Sequence, residues 1–383
     1  MQYRQFKVRT FLIQSKSLLD TLLHSLTLLS RTKLKPFILL FASALSISLL
    51  IPACTSTSSA PEPGTSPTAA AQSDAQLTLV SYSVTRAAYE KIIPKFTAQW
   101  KRDHNQNVTF NQSYGGSGSQ ARAVIDGLEA DVVELSLAPD VKKIEKAGLI
   151  QPGWEKEAPD GAIVTKSVAA LTTREGNPKG IKTWADLAKD GVSVITPNPK
   201  TSGGAIWNFL ALWGSVTQTG GDAAKAQDFT SKVFANVPVL PKDAREASDV
   251  FFKQGQGDAL INYENEMILA GTNGQKVPYI VPNVNISIDN PVAVVDKNVD
   301  SHGTREIAEA FVKYLYTPEA QREFANVGFR PVDPTVAKEV ASKYPKVTTL
   351  FTAQSFGGWD EIQKEFFADG AIFDKIQATA QQR

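Results

Sequence analysis

The sequence Ser-Tyr-Gly-Gly-Ser-Gly-Ser at residues 113–119 lies between a strand-like run and a helix-like run. The strand-like run covers residues 107–112. After the loop, apolar residues recur at positions i, i+3, i+4 and i+7, beginning at Ala121. The start of a helix has backbone N–H groups without a helical partner, and these can bind an anion without a charged side chain. The stretch therefore predicts a strand, a small-residue loop and a helix that together hold an oxyanion.

A second stretch repeats this layout further along the chain. Residues 201–204 read Thr-Ser-Gly-Gly, after a strand-like run at 192–196 and before a helical pattern that begins near Ile206. Two further junctions, at Ser83 and Ala244, are less rich in glycine but similarly placed. If these helix starts face one cleft, each donor contributes roughly 1.5–3 kcal/mol to holding a charged group. The four junctions together predict one shared anion site.

Strand-like and helix-like segments alternate along the body of the chain, which predicts an α/β fold with mostly parallel sheets. Ligands of such folds bind outside the carboxyl ends of strands, where the four junctions lie. Residues 162–173 are long and β-like, so this segment could cross from one lobe to another. The other predicted strands cover residues 77–82, 131–137, 192–196, 236–240, 258–263 and 292–295.

The N-terminal region has the composition of an export signal. Residues 1–54 carry seven of the 40 Lys and Arg residues and one of the 39 Asp and Glu residues, and residues 37–51 contain no charge. A basic region, an apolar region and small residues precede Cys54, which makes Cys54 a candidate lipidation site; an unlipidated periplasmic protein is the alternative. Residues 1–53 are predicted as an export signal, and residues 54–76, rich in Ser, Thr, Ala and Pro, as a flexible linker.

Several kinds of chemistry lack their residues in this chain. No Lys follows the 113–119 loop as a nucleotide loop requires, and Ser119 stands where a hydrolase nucleophile elbow needs glycine. One cysteine and three histidines predict neither a metal site of the usual ligands nor a cofactor. The mildly acidic body has no basic run, which argues against nucleic acid as a partner. A secreted serine hydrolase that uses Ser117 or Ser202 is the alternative from another functional class.

Eight stretches carry a resemblance to one known family. They read Val-Ser-Tyr at 80–82, Gln-Ser-Tyr-Gly-Gly-Ser-Gly at 112–118, Gly-Val-Ser-Val-Ile-Thr-Pro-Asn-Pro-Lys at 191–200, Ser-Gly-Gly-Ala at 202–205, Glu-Asn-Glu at 264–266, Lys-Tyr-Leu-Tyr at 313–316, Phe-Arg-Pro at 329–331 and Phe-Gly-Gly-Trp at 356–359. Nearly the whole body, from Leu77 to Ile376, resembles the periplasmic sulfate-binding proteins of ABC transporters and their thiosulfate-binding relatives.

The resemblance implies a two-lobed periplasmic binding protein of type II, hinged by crossover strands. The implied domains are the first part of lobe 1 at 77–167, lobe 2 at 168–285, the second part of lobe 1 at 286–330 and a C-terminal helical segment at 331–383. It also implies that the protein is a periplasmic monomer that is not an enzyme, with the sulfate anion as ligand and the membrane permease subunits of an ABC transporter as partners. Thiosulfate and molybdate are alternative cargoes for the same fold.

The resemblance further implies that uncharged donors alone hold dehydrated sulfate. The contacts would come from the hydroxyl or backbone of Ser117 and Ser202, from the backbone N–H groups of Ser83, Gly203, Gly204 and Ala244, and from Tyr263. Better-known members have Trp in place of Tyr263, and a phenol can accept as well as donate a hydrogen bond, unlike an indole. No Asp or Glu lies within 113–120 or 198–206. This favours sulfate, because protonated phosphate would bring a donor that finds no acceptor.

Overall fold

A computed structural model of the chain describes residues 73–275 and 278–380. The predicted export signal, most of the predicted linker and Cys54 lie outside these residues. Strand β1 (Ala75–Tyr82) begins inside the predicted linker, because Ala75 and Gln76 pair with β2 (Val108–Gly115). The linker prediction is therefore wrong for its last two residues, 75 and 76.

Six strands form the larger sheet. From one edge to the other they are β11 (Arg330–Pro331), β4 (Ile163–Ser167), β10 (Ile288–Val294), β3 (Val132–Glu134), β1 and β2. β1 runs parallel to β2 and β3, whereas β10 is antiparallel to β3 and β4. This sheet and the helices around it are called lobe 1 below.

The smaller sheet contains, in order, β6 (Val194–Ile195), β7 (Ala259–Tyr263), β5 (Ala169–Thr173) and β8 (Tyr279–Ile280), and is called lobe 2 with its helices. Only Val168 separates β4 from β5. Later in the chain, β9 (Val284–Ile286) leads from β8 to β10, with only Ser287 between β9 and β10. The chain therefore passes between the lobes in these two places. Two α/β lobes joined by such crossovers confirm the predicted fold class, a periplasmic binding protein of type II.

Two predictions about the strands are wrong. The sheets are mixed rather than mostly parallel, because the crossover strands β5 and β10 run antiparallel to their neighbours. Residues 236–240 form no strand. Pro238 in this segment and Pro241 just after it have no N–H group to donate to a neighbouring strand. The segment meets β6 only through the carbonyl of Asn236, which accepts from the N–H of Val194 at 2.8 Å.

The helices, in chain order, are α1 (Arg86–His104), α2 (Ser117–Ile125), α3 (Ala138–Lys146), α4 (Pro159–Ala162), α5 (Gly203–Thr217), α6 (Ala223–Ala235), α7 (Ala244–Phe252), α8 (Glu264–Thr272), α9 (Asp296–His302), α10 (Arg305–Leu315), α11 (Pro318–Asn326), α12 (Pro334–Glu339), α13 (Trp359–Ile362) and α14 (Ile372–Ala380). Among residues 73–275 and 278–380, none is long and apolar enough to cross a membrane.

The C-terminal segment supports the helix that begins at the second glycine loop. Its aromatic side chains pack on α5, where Phe366 meets Trp213 with ring centroids 4.9 Å apart. The segment was predicted to be helical, but it also contains strand β12 (Thr349–Phe351), which pairs parallel to β9. The Phe351 ring lies directly on Gly214, where any side chain would collide with it. The strand is short and flanked by polar residues, so periodicity alone does not distinguish it from a loop.

Candidate functional site

A narrow cavity lies between the two lobes, and all seven residues predicted to bind the anion line it. They are Ser83, Ser117, Ser202, Gly203, Gly204, Ala244 and Tyr263. Ser117 and Tyr263 are each only 1% exposed, so a ligand held here would be out of contact with bulk water. No lysine, arginine or histidine is among the described residues that line the cavity. The sequence-predicted residues are thus brought together in a buried site without a cation.

Helix starts supply the free donors of this cavity. α2 begins at Ser117 and α5 at Gly203, and no side chain caps either helix. α7 is capped by Asp243, whose Oδ1 accepts from the N–H groups of Arg245 and Glu246 and leaves that of Ala244 uncapped. A helix start carries about half a positive charge in its unpaired N–H groups. The positive ends that line the cavity are therefore helix dipoles rather than cationic side chains.

The two serines differ in which donor is free. The hydroxyl of Ser117 donates to Asp140 Oδ2 at 2.6 Å and accepts from the N–H of Ser136 at 3.0 Å, so its hydrogen is already used. The N–H of Ser202, in contrast, donates to the carbonyl of Asn198 at 2.8 Å, and no described residue bonds its hydroxyl. Ser117 can therefore offer its backbone N–H to a ligand, whereas Ser202 can offer its hydroxyl.

Ser136 lines the cavity and was missed by the sequence analysis. Its Oγ lies 2.6 Å from the hydroxyl oxygen of Tyr263. Burial raises the pKa of Tyr263 well above its usual value, which keeps the phenol protonated. The available signal was the single serine of the predicted strand at 131–137, near its carboxyl end, which is where ligands of such folds bind.

Three acidic residues lie close to the site, although no carboxylate was expected there. Asp140 is buried, accepts from Ser117 and pairs with Lys143 at 2.8 Å. Asp243 lines the cavity and caps α7. Glu266 lies behind α7, where Arg245 pairs with it at 2.7 Å. Each carboxylate accepts hydrogen bonds that hold the cavity walls in place. These contacts could not be inferred from the spacing of the residues in the sequence.

Glu264 and Glu266 lie in the first turn of α8 and are not solvated. Both side chains are buried, and Arg330 pairs with Glu264 at 2.7 Å. Burial raises the pKa of Glu264 and of Glu266, while the neighbouring arginines act in the opposite direction. They are structural ion pairs that fix the start of α8, directly after Tyr263.

The lobes touch each other closely around the cavity. An added methyl group on Gly203 would lie 2.6 Å from both Cβ and Oγ of Ser136 in lobe 1. On the lobe 1 side, a methyl group on Gly116 would collide with the carbonyl oxygen of Thr201. The indole N–H of Trp207 donates to the carbonyl of Ser136 at 3.0 Å. Glycine at these two positions permits the lobes to meet, and the structure has a closed cleft.

A larger cavity, of about 620 Å³, lies in lobe 1 and is lined by none of the predicted residues. Its walls include Val292 and Val312 together with the charged side chains of Arg305 and Glu309. Apolar walls and mixed charges do not suit a small dehydrated dianion, so size alone does not identify the anion site. In the part of the chain that the structure describes, no group of three or more His, Cys, Asp or Glu residues could hold a metal ion.

Comparisons with known proteins agree on one family. The sequence profile described as bacterial extracellular solute-binding protein matches residues 77–330. A sulfate-binding protein of Synechocystis sp. is 61% identical over 327 residues, covering 85% of this chain and 92% of that protein. A thiosulfate-binding protein of Pseudomonas aeruginosa is 41% identical over 302 residues, with 78% and 90% covered. The solved sulfate-binding protein SubI from Mycobacterium tuberculosis has a TM-score of 0.71 and 37% identity, covering 76% of this chain and 99% of that one.

Proposed function

The chain belongs to the family of bacterial extracellular solute-binding proteins, and we propose that it captures sulfate and delivers it to an ABC importer. The observation that carries this proposal is the cavity between the lobes. Every residue that the sequence singled out for sulfate lines this one space, and both lobes contribute. The sulfate-binding relatives support the same cargo.

Neutral donors are sufficient for sulfate, which is fully ionised at neutral pH and carries no proton. We assign the donors as the backbone N–H groups of Ser83, Ser117, Gly203, Gly204 and Ala244, and the hydroxyls of Ser202 and Tyr263. A hydrogen bond to a charged group contributes roughly 1.5–3 kcal/mol, so several such donors can replace the water that the anion loses. An anion held without a cation can also be released without breaking an ion pair.

Sulfate would hold the lobes closed because it accepts hydrogen bonds from both of them. Ser83 and Ser117 belong to lobe 1, whereas Ser202 and Ala244 belong to lobe 2. A ligand shifts a conformational equilibrium by its difference in affinity for the two states, and only the closed state offers both sets of donors. The closed form would then be the one that the permease subunits of the importer recognise.

The cargo could also be thiosulfate or molybdate, which present similar tetrahedral oxygen faces. A thiosulfate-binding relative supports the first of these. The greater identity to a sulfate-binding relative favours sulfate. Asp243 lines the cavity and bears on phosphate: its Oδ1 accepts from two backbone N–H groups, which leaves Oδ2 as an acceptor for the proton of a protonated anion, and the phosphate titration below tests this.

We infer that the protein has no catalytic activity of its own. A serine nucleophile needs a general base within hydrogen-bond reach, usually a histidine. The Ser117 hydroxyl donates to Asp140 instead, and no histidine lines the described cavity. We further propose that the protein acts as a periplasmic monomer, with its domains bounded as predicted except that lobe 1 begins at Ala75, and that Cys54 is its lipid anchor if the leader is cleaved before it.

An anion titration of the purified full chain tests the cargo. Sulfate, thiosulfate, molybdate and phosphate are added in turn, and the heat of binding or tryptophan fluorescence is followed. We expect saturable binding of sulfate and far weaker binding of phosphate. The Ser202→Asp variant should lose sulfate binding almost completely, because it sets a carboxylate against the anion, whereas Ser202→Ala should lose only one donor. Binding of phosphate with no response to sulfate would refute sulfate as the cargo.

A further inference from the structure

Ser136 and Tyr263 form a hydrogen bond that joins the two lobes at the cavity itself. Ser136 follows β3 in lobe 1, and Tyr263 ends β7 in lobe 2. Their hydroxyl oxygens are 2.6 Å apart, both side chains are buried, and both residues line the cavity. The bond can exist only while the cleft is closed, because its two oxygens belong to different lobes.

The other polar groups of Ser136 are already paired. Its N–H donates to Ser117 Oγ, and its carbonyl accepts from Trp207 Nε1 at 3.0 Å and from Asn290 Nδ2 at 3.1 Å. The two hydroxyls of the pair carry two protons, and their mutual bond uses one of them. No described residue accepts the second proton. That proton is available to a ligand in the cavity that both residues line.

We propose that Ser136 is an additional anion-binding residue, which forms with Tyr263 a hydroxyl pair that bridges the lobes and gives one proton to the bound oxyanion. This inference rests on the proposed function, since it assigns a further contact to the same anion. Either oxygen can donate to the anion while the other donates to its partner. The role of Tyr263 is thereby defined by the chain's own geometry.

The packing of α5 places the pair beside the other donors. A methyl group on Gly204 would lie 3.1 Å from the Tyr263 hydroxyl oxygen, and one on Gly203 would lie 2.6 Å from Ser136 Oγ. The two glycines thus bring the start of α5 against the pair, so its N–H groups and the shared proton reach the anion from one side. A hydroxyl that donates to an anion becomes a better acceptor, so anion binding strengthens the bond across the cleft.

A double-mutant cycle tests the pair. Ser136→Ala, Tyr263→Phe and the double variant are titrated with sulfate, and dissociation rates are measured by stopped flow. In the wild type, Ser136→Ala removes the bridging bond, and Tyr263 can still donate to the anion. We expect about fivefold weaker binding with faster dissociation. In the Tyr263→Phe background the bridging bond is already absent, and the same change removes the last hydroxyl donor of the pair to the anion, so the loss should exceed tenfold.

Ser215→Ala is the matched control, because the Ser215 hydroxyl donates only to the carbonyl of Leu212, within α5. This variant should bind sulfate like the wild type. Thermal melting of every variant without ligand verifies that it folds. The proposal is overturned if Ser136→Ala binds within twofold of the wild type, or if its loss is no larger in the Tyr263→Phe background than in the wild type.

The same cycle distinguishes this inference from the proposed function. All variants are also titrated with thiosulfate and molybdate. If the wild type binds one of these anions but not sulfate, sulfate as the cargo is refuted. The role of the hydroxyl pair is then tested by the same affinity losses, measured with the anion that binds. If the wild type binds none of the three, both proposals are refuted.

Discussion

Gly203 is the first residue of α5, and replacing it with alanine tests whether anion binding requires the lobes to close. The new methyl group would lie 2.6 Å from Cβ and Oγ of Ser136 and 3.0 Å from Cγ of Leu137, all in lobe 1. Gly203 has no positive φ, so alanine can adopt its backbone conformation. The substitution therefore acts on the contact between the lobes and not on the local fold of α5.

The expected effects on binding and on folding have opposite signs. Overpacking a tight contact costs roughly 1–3 kcal/mol, and here this cost arises only in the closed form. Sulfate affinity should then fall roughly 5- to 140-fold. In the open form that contact is absent, and alanine in place of glycine, where it can adopt the backbone conformation, stabilises the folded state by roughly 0.4–1 kcal/mol. The melting temperature of the ligand-free Gly203→Ala variant should therefore stay constant or rise.

Calorimetric titration with sulfate and thermal melting without ligand measure the two effects separately. Two other glycines serve as controls. Gly271 in α8 has open space around it, so Gly271→Ala should leave affinity unchanged. Gly214 lies under the Phe351 ring within one lobe, so Gly214→Ala should lower folding stability instead of affinity. A folded Gly203→Ala variant that binds sulfate within twofold of the wild type would refute closure by direct contact at Gly203.

Three further predictions concern acidic side chains. Burial raises the pKa of Glu134 from 4.5 to about 8, so the folded state binds a proton that the unfolded chain releases between these values, and stability falls as pH rises through this window. In urea unfolding at about pH 5.5 and about pH 7.5, the free energy of unfolding of Glu134→Gln should change less between the two pH values than that of the wild type. An equal change in both proteins would contradict the prediction. Asp243→Asn keeps an acceptor at the N-cap of α7 but removes a negative charge at the cavity. Calorimetry should therefore show severalfold tighter sulfate binding, and weaker binding would refute the effect of that charge. Asp140→Ala removes the acceptor of the Ser117 hydroxyl and leaves a buried donor unpaired. Urea titrations should show a loss of about 1–3 kcal/mol of unfolding free energy. A change below about 0.5 kcal/mol would show that Asp140 does not stabilise the fold through Ser117.

The glycine-rich loops could be predicted because their signals are local. Residues 113–119 were expected to lead from a strand into a helix, and β2 ends at Gly115 while α2 begins at Ser117. The Thr-Ser-Gly-Gly stretch likewise leads into α5 at Gly203. In both places an apolar run, a small-residue loop and a helical repeat follow one another directly, so neighbouring residues suffice to identify the junction.

The polar partners around the site could not be predicted in this way. Asp140 and Ser136 contact Ser117 from the segment after β3, and nothing in the spacing of these residues relates them. Charged residues are usually exposed to solvent, so the burial of Glu264 and Glu266 could not be predicted from their type. They are buried because Arg330 and Arg245 reach them from other parts of the chain. Proline in the 236–240 segment was the signal against a strand there.

The sequence by itself determined the α/β class, the places where helices start with small residues, and the absence of an acidic residue from 113–120 and 198–206. These properties depend on residues within one or two helical turns of each other. Only the tertiary structure decided which atoms remain free: the N–H but not the hydroxyl of Ser117, and the hydroxyl but not the N–H of Ser202. A donor is free only when no other segment reaches it, and which segments meet is determined by how the two lobes fold and close on each other.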